Sequence, residues 1–179
     1  MSSENPSNTS TASIEPLWRL LAIGFDPDKT VPDLYGAIHD GEPDVPLMVE
    51  GRIVFFTDPA RAPDLIRQYG GPRASDPAEV SKPTLWCDVA QALHHLSAGG
   101  IDTSTSIVDA VNVLLDLVKA SGTKMVDDRR RALHSIADYC TTSKDITKYL
   151  EEVGDHSSRE LVDAVLWCVG AIVVKSRIL

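Results

Sequence analysis

The chain has 179 residues and a mass of 19.4 kDa, with 43% hydrophobic and 24% charged residues. That composition is close to the soluble globular average and argues against a wholly disordered chain, a fibrous repeat or a membrane protein; the length allows a core that needs neither disulfides nor a structural metal. Seventeen basic against 26 acidic residues give a net charge of −9 and a pI near 4.9, which disfavours nucleic acid and anionic membranes as partners and leaves a basic protein.

Residues 1–13 are dominated by Ser, Thr, Asn and Pro with a single Glu and no apolar run, so they read as a disordered tail rather than a secretion signal. Without such a signal the glycosylation pattern Asn8-Thr9-Ser10 carries no weight. Residues 14–179 read as one domain, with an N-terminal α/β part over 14–70, a linker over 71–83 and a helical bundle over 84–175.

Pro16 to Phe25 fits a helix started by Pro16 and stopped by Gly24, or a strand with Trp18, Leu20 and Ala22 on one face. The window is too short for periodicity to decide, and helix is the expectation. Between Asp26 and Glu50 lie seven acids and one base, Lys29, a net −6 in 25 residues. Pro27, Pro32, Pro43 and Pro46 with Gly36 and Gly41 break this stretch into surface turns and at most one short helix near Val31 to Ile38.

Val45 to Val49 and Arg52 to Thr57 flank Glu50-Gly51, which predicts a hairpin. Asp58-Pro59 then caps a short helix carrying Leu65 and Ile66, ended by Gly70-Gly71. From Thr84 on, the pattern is helical: 84–98 with Trp86, Val89, Leu93 and Leu96 on one side, then 104–121, 127–140, 143–153 and 157–175. The last helix opens on a capping-box pattern, Ser157 with Glu160, and is apolar nearly all round, as the central helix of a bundle would be. Its uncharged run, Ala164 to Val174, is about half of what a membrane span needs. The tripeptide Leu85-Trp86-Cys87 recurs as Leu166-Trp167-Cys168 without matching flanks, so no repeat is read from it. The fold class is therefore α-rich α+β, with a small N-terminal hairpin and short helices packed on a C-terminal bundle of about five helices.

Motifs for chemistry fail one by one. A phosphate loop at Gly24 to Thr30 would put Asp28, not Gly, before Lys29. Asp40, Glu42 and Asp44 have calcium-loop spacing, but the sixth position is Val45 and the twelfth Gly51. Cys87 and His94 are seven apart, with His95 beside them, and suggest zinc; no second ligand pair follows, and the expectation is a core thiol beside two histidines at a helix C-terminus. His134 and Asp138 are four apart on one helix, in a row of charges with Asp127 and Arg131 that reads as a solvated face. Arg129-Arg130-Arg131 is short for a nucleic-acid patch and is offset by Asp127-Asp128. No cofactor is expected. Three widely spaced cysteines, Cys87, Cys140 and Cys168, read as reduced thiols of a cytoplasmic protein.

The acidic, proline-bounded segment stands above this background. It is expected to dock a basic partner, with Asp26, Asp28, Asp33, Asp40, Glu42 and Asp44 supplying charge and Tyr35 an aromatic anchor. The sharpest form is an immunity- or antitoxin-like inhibitor of a basic toxin such as a nuclease. The alternative is a small hydrolase or metal-dependent enzyme built on His134 and Asp138 or on His94 and His95, and a third reading has the last helix packing against another copy of the chain.

Overall fold

The computed structural model describes residues 18–41, 43–73, 80 and 82–179. The expected tail, Glu42 and the linker positions 74–79 and 81 lie outside the described residues. The fold is α+β and α-rich, with the sheet drawn mainly from the N-terminal part and the helices concentrated after it.

Among the described residues seven strands form one sheet: β1 (Trp18–Gly24), β2 (Leu34–His39), β3 (Val45–Pro46), β4 (Met48–Val49), β5 (Arg52–Phe56), β6 (Pro83–Asp88) and β7 (Ser176–Ile178). The order is β4-β5-β2-β1-β6, with β3 on β2 and β7 on β5. β6 lies parallel to β1 and β7 parallel to β5, while the other pairs are antiparallel.

Alternation along the strands builds two cores. Leu21, Ile23, Ile38, Ile53, Phe55 and Cys87 face the bundle. Trp18, Leu20, Ala37, Val54 and Phe56 face Ala62, Leu65 and Ile66 of helix α1 (Ala62–Tyr69), with Leu47 and Val80 in the same cluster.

Three sequence expectations change here. Residues 16–25 were expected to be helical, yet 18–24 form β1, whose Leu20, Leu21 and Ala22 are fully buried. The run Leu20–Ile23 is covered on both faces and apolar without interruption, which hides its period of two. The short helix near Val31 to Ile38 is instead strand β2, and the surface segment runs through the middle of the sheet, with Gly36, Ala37, Ile38 and His39 buried. Gly36 suits that place because a Cβ there would come within 3.3 Å of the Phe55 ring. The helix expected from Thr84 begins only at α2 (Val89–Ala98); 84–88 belong to β6, and Asp88 caps α2 by accepting from Gln91 N–H at 2.9 Å.

The remaining helices are α3 (Ser106–Ala120), α4 (Asp127–Thr142) and α5 (Ile146–Val174). Gly154, at φ 80°, breaks α5 into arms 146–153 and 155–174, so the bundle has five helical segments. Ser157 lies inside the second arm rather than capping it, and Asp145 caps the first by accepting from Lys148 N–H at 3.1 Å. α5 touches α2, α3 and α4, but Leu166, Val173 and Val174 are exposed, so it is not covered all round.

The hairpin forms as expected: Met48 pairs with Ile53 and Val49 with Arg52 across Glu50 and Gly51. Both turn residues have positive φ, 52° and 75°, the two-residue turn that matches strand twist and favours Asn-Gly. Glu50→Asn is therefore expected to stabilise the fold by about 0.5 kcal/mol, read by urea unfolding; the exposed Arg177 contact it removes is worth little.

The α2–α3 and α4–α5 connections are bolted together. Asp102 N–H donates to Lys144 O (2.9 Å), Ile146 N–H to Gly100 O (2.9 Å) and Gly100 N–H to Thr147 Oγ1 (2.8 Å). Gly99, at φ 75°, lies so close that a Cβ would stand 2.7 Å from Thr147 Oγ1. Gly99→Ala should cost about 2 kcal/mol or more in the same assay, from left-handed backbone strain plus that clash.

Candidate functional site

The structure divides the acidic segment between the two ends of β2, roughly 20 Å apart for a six-residue strand. Asp26, Asp28 and Asp33 lie in the β1–β2 connection around Lys29. Lys29 Nζ is 2.5 Å from Asp33 and 3.7 Å from Asp26, Phe25 N–H donates to Asp33 at 2.7 Å, and Asp28 N–H donates to Asp26 at 3.0 Å. The hydrogen bond from Lys29 holds the Asp33 carboxyl below its ordinary range, and Asp33 raises Lys29 in turn. At the opposite end Arg19 pairs with Asp40 and, at 3.0 Å, with Asp44, while Gly41 N–H donates to Asp44 at 3.1 Å. Tyr35 is half-buried, its ring stacked with Phe56 at 6.4 Å.

Asp44 has a second environment. It lines a groove of about 280 Å³ together with Ile38, Thr84, Leu85 and Trp86 and, from α3, Asp109, Asn112, Val113 and Asp116. Among the described residues the lining holds three carboxylates and no base, with Ile38, Leu85 and Val113 as its aliphatic part. Burial raises the Asp116 carboxyl, the charge of Asp44 raises it further, and Lys119 offsets only part of that. Trp86, 54% exposed, stands at the rim on β6, an edge strand among the described residues.

The groove could not be read directly from the chain. Asp109, Asn112 and Asp116 follow one another at helical spacing on the polar side of α3, and Thr84, Trp86 and Asp88 are exposed alternately with Leu85 and Cys87. Those two local signals mark a polar helix face and a strand; their convergence with Asp44 is a tertiary fact.

The metal and catalytic candidates come apart. Cys87 lies on β6, fully buried, and burial pushes its thiol up to about 12, with Asp88 and Asp109 adding to the rise. His94 is exposed, and His95 is buried between Gln91 Nε2 at 3.0 Å and Gly99 O at 3.2 Å. His134 and Asp138 are exposed on the outside of α4, in an open groove with Asp127, Arg130, Arg131 and Ser135. Among the described residues, no three His, Cys, Asp or Glu side chains gather as metal ligands, and no helix is long and apolar enough to cross a membrane. No family model, curated protein or solved structure matches the chain.

One buried carboxylate was not singled out from sequence. Asp102, 2% exposed, accepts from Ser106 N–H (3.1 Å), Ile107 N–H (3.0 Å), Ser106 Oγ (3.1 Å) and Ser104 Oγ (3.0 Å), with His95 Nε2 at 3.9 Å. These partners make it the anchor of the α3 N-terminus, where the helix leaves N–H groups unpaired. Burial pushes its carboxyl up, but the Ile107 and Ser106 amides and the two serine hydroxyls outweigh that and hold it below its ordinary 3.8. A lowered carboxyl stabilises the fold fully above its ordinary value and loses that contribution as pH falls towards the folded-state value. Asp102→Asn should therefore cost about 1–3 kcal/mol at neutral pH. Urea unfolding of both proteins across pH 7 to 3 should show the gap narrowing below about pH 4; a gap independent of pH would mean that charge is not what Asp102 supplies.

Proposed function

We propose that the chain is a non-catalytic, cytoplasmic protein-binding module, most specifically an immunity- or antitoxin-like inhibitor that neutralises a basic toxin such as a nuclease through an acidic surface. The observation that carries this reading is the groove in which Asp44, Asp109 and Asp116 converge beside Trp86, with no base among its described lining residues and Arg19 holding Asp44 from outside it. The three free cysteines, all buried, support a reducing compartment.

The chemistry of the groove selects its occupant. The aliphatic stem of an Arg or Lys packs on Ile38, Leu85 and Val113 while its charged head reaches the carboxylates, and Trp86 offers a ring face to the same or a neighbouring cation. Asp116 and Asp44 repel each other across the groove, so an arriving cation relieves a tension that the free protein carries. Asp40, in the same connection as Asp44, pairs with Arg19 beside it, and Glu42 adds its charge to that stretch of sequence. Asp26, Asp28 and Asp33, at the other end of β2, extend the negative field that steers a cationic protein, and Tyr35 beside them, stacked on Phe56, offers an aromatic anchor. A nuclease toxin must present positive charge to hold nucleic acid, and a carboxylate face that occupies this surface competes with the phosphate backbone.

The test starts from a basic partner recovered from the native cell by salt-sensitive pull-down. Its binding to the wild type and to the triple variant Asp44→Asn, Asp109→Asn, Asp116→Asn is then followed by surface plasmon resonance. The triple variant should associate at least ~10-fold more slowly at low salt, with the difference shrinking as salt is added. Trp86→Ala should chiefly speed dissociation. Unchanged kinetics in both variants would sink the assignment.

A further inference from the structure

The second arm of α5 is apolar on two sides. Leu161, Ala164, Val165, Cys168 and Ile172 are buried against the rest of the bundle. On the other side Leu166, Gly170 and Val173 follow one another at spacings of four and three, so they form one stripe at the helical period. That stripe faces solvent: Leu166 is 49% exposed and Val173 62%, and Val174 beside it is 73% exposed. Ile178, on the strand that directly follows, is 61% exposed. From Ala164 to Val174 there is no charged residue, in a chain where 24% of residues are charged. A solvated helix face in this protein would carry charge, as the outer face of α4 does with Asp127, Arg130, Arg131 and Asp138.

We infer that this face is covered by a second copy of the chain, the two α5 helices lying antiparallel about a two-fold axis near Gly170. The area and the charges select this occupant. The four exposed side chains leave roughly 400 Å² of apolar surface, about half of the ~800 Å² that each partner of a standard interface contributes, which is the apolar share such interfaces show. The stripe holds no carboxylate to meet the basic partner that the groove would bind, so that partner does not fit here. Its two ends are complementary only head to tail: Asp163 is exposed at one end and Lys175 at the other.

An antiparallel pair centred on Gly170 sets positions four residues to either side, about 6 Å along the axis, opposite each other. Leu166 then faces Val174 of the second copy, Val173 faces the half-buried Trp167, and Asp163 lies towards the end that carries the exposed Lys175. A parallel pair would set Asp163 against itself. Gly170 at the centre has open space where a side chain would project, with nothing within 4 Å of an added Cβ, so it lets the two backbones approach. A two-fold arrangement of this kind is the commonest closed assembly and uses the same patch on both copies.

Sedimentation velocity across the micromolar range tests the inference. The wild type should pass from 19.4 kDa towards twice that mass as concentration rises, and its melting temperature should rise with it. Leu166→Lys with Val173→Lys should weaken the pair by at least ~100-fold and remove both effects. Gly170→Arg guards against a trivial loss of folding, because Arg is the better helix former and should hold or raise the monomer's melting temperature while abolishing the dimer. A wild type that stays at monomer mass at high concentration would overturn the inference, as would either variant dimerising normally. Capture of the basic partner on this stripe in place of the groove, shown by loss of that binding in Gly170→Arg, would overturn it as well. The groove variant Asp44→Asn, Asp116→Asn should dimerise like the wild type, so the fate of this inference is read separately from that of the docking proposal.

Discussion

From Leu20 to Ile23, strand β1 has no side that faces water. Leu20 and Trp18 turn towards α1, Leu21 and Ile23 towards the bundle, and β2 and β6 flank its two edges. Burying a strand this completely obliges the backbone on both edges to find partners, because unpaired amides in such a place cost more than a hydrogen bond returns. One partner is local, β2, reached through the short 25–33 connection. The other cannot be: β6 lies nearly sixty residues further on and runs parallel to β1, so the chain must cross α1 before it returns. The same holds at the far edge, where β7 at the end of α5 joins β5 in parallel register. The long helical half is thus framed by two strands that belong to the sheet of the first half.

That arrangement explains what the sequence showed and what it hid. Helices α3 and α4 occupy 106–120 and 127–142 against expected 104–121 and 127–140, because each has one buried and one wet side and the 3.6-residue period is unobscured. The hairpin was legible because Glu50-Gly51 is a two-residue turn that only one backbone geometry satisfies. β1, β2 and β6 were hidden for different reasons. β1 is buried on both faces, β2 carries its buried residues at one end only, and β6 is an edge strand that runs straight into a helix through Asp88. Leu-Trp-Cys makes the point in miniature. In 85–87 it is a strand with Trp exposed, and in 166–168 it is helix with Leu exposed; in both places Cys is fully buried. The local composition is identical, and the partners across space decide the conformation.

The acidic segment shows the same limit at the level of charge. Counted along the chain it is a block of net −6. Folded, its two ends stand at opposite ends of β2, with Lys29 among one set of carboxylates and Arg19 among the other. Charge that is already paired contributes less to a local field than the same charge left alone. What the fold adds is the juxtaposition of Asp44, itself held by Arg19, with Asp109 and Asp116, two residues from a helix more than sixty positions away that line the same groove. Asp44 was legible from its neighbours in sequence; the other two were not, since on α3 they are simply the polar side of an amphipathic helix.

The groove and the α5 stripe are opposite solutions to the same surface problem. The groove concentrates like charges that repel one another and are stabilised by a cation, so its affinity should depend strongly on salt. The stripe has almost no charge, gains by excluding water, and should depend weakly on salt and more on temperature through its heat capacity. In a chain of net charge −9, bringing two copies together adds like-charge repulsion everywhere except on an uncharged face. The acidic character that would attract a basic partner therefore also restricts where self-association can occur, and the run from Ala164 to Val174 is the stretch of exposed helix that meets this restriction.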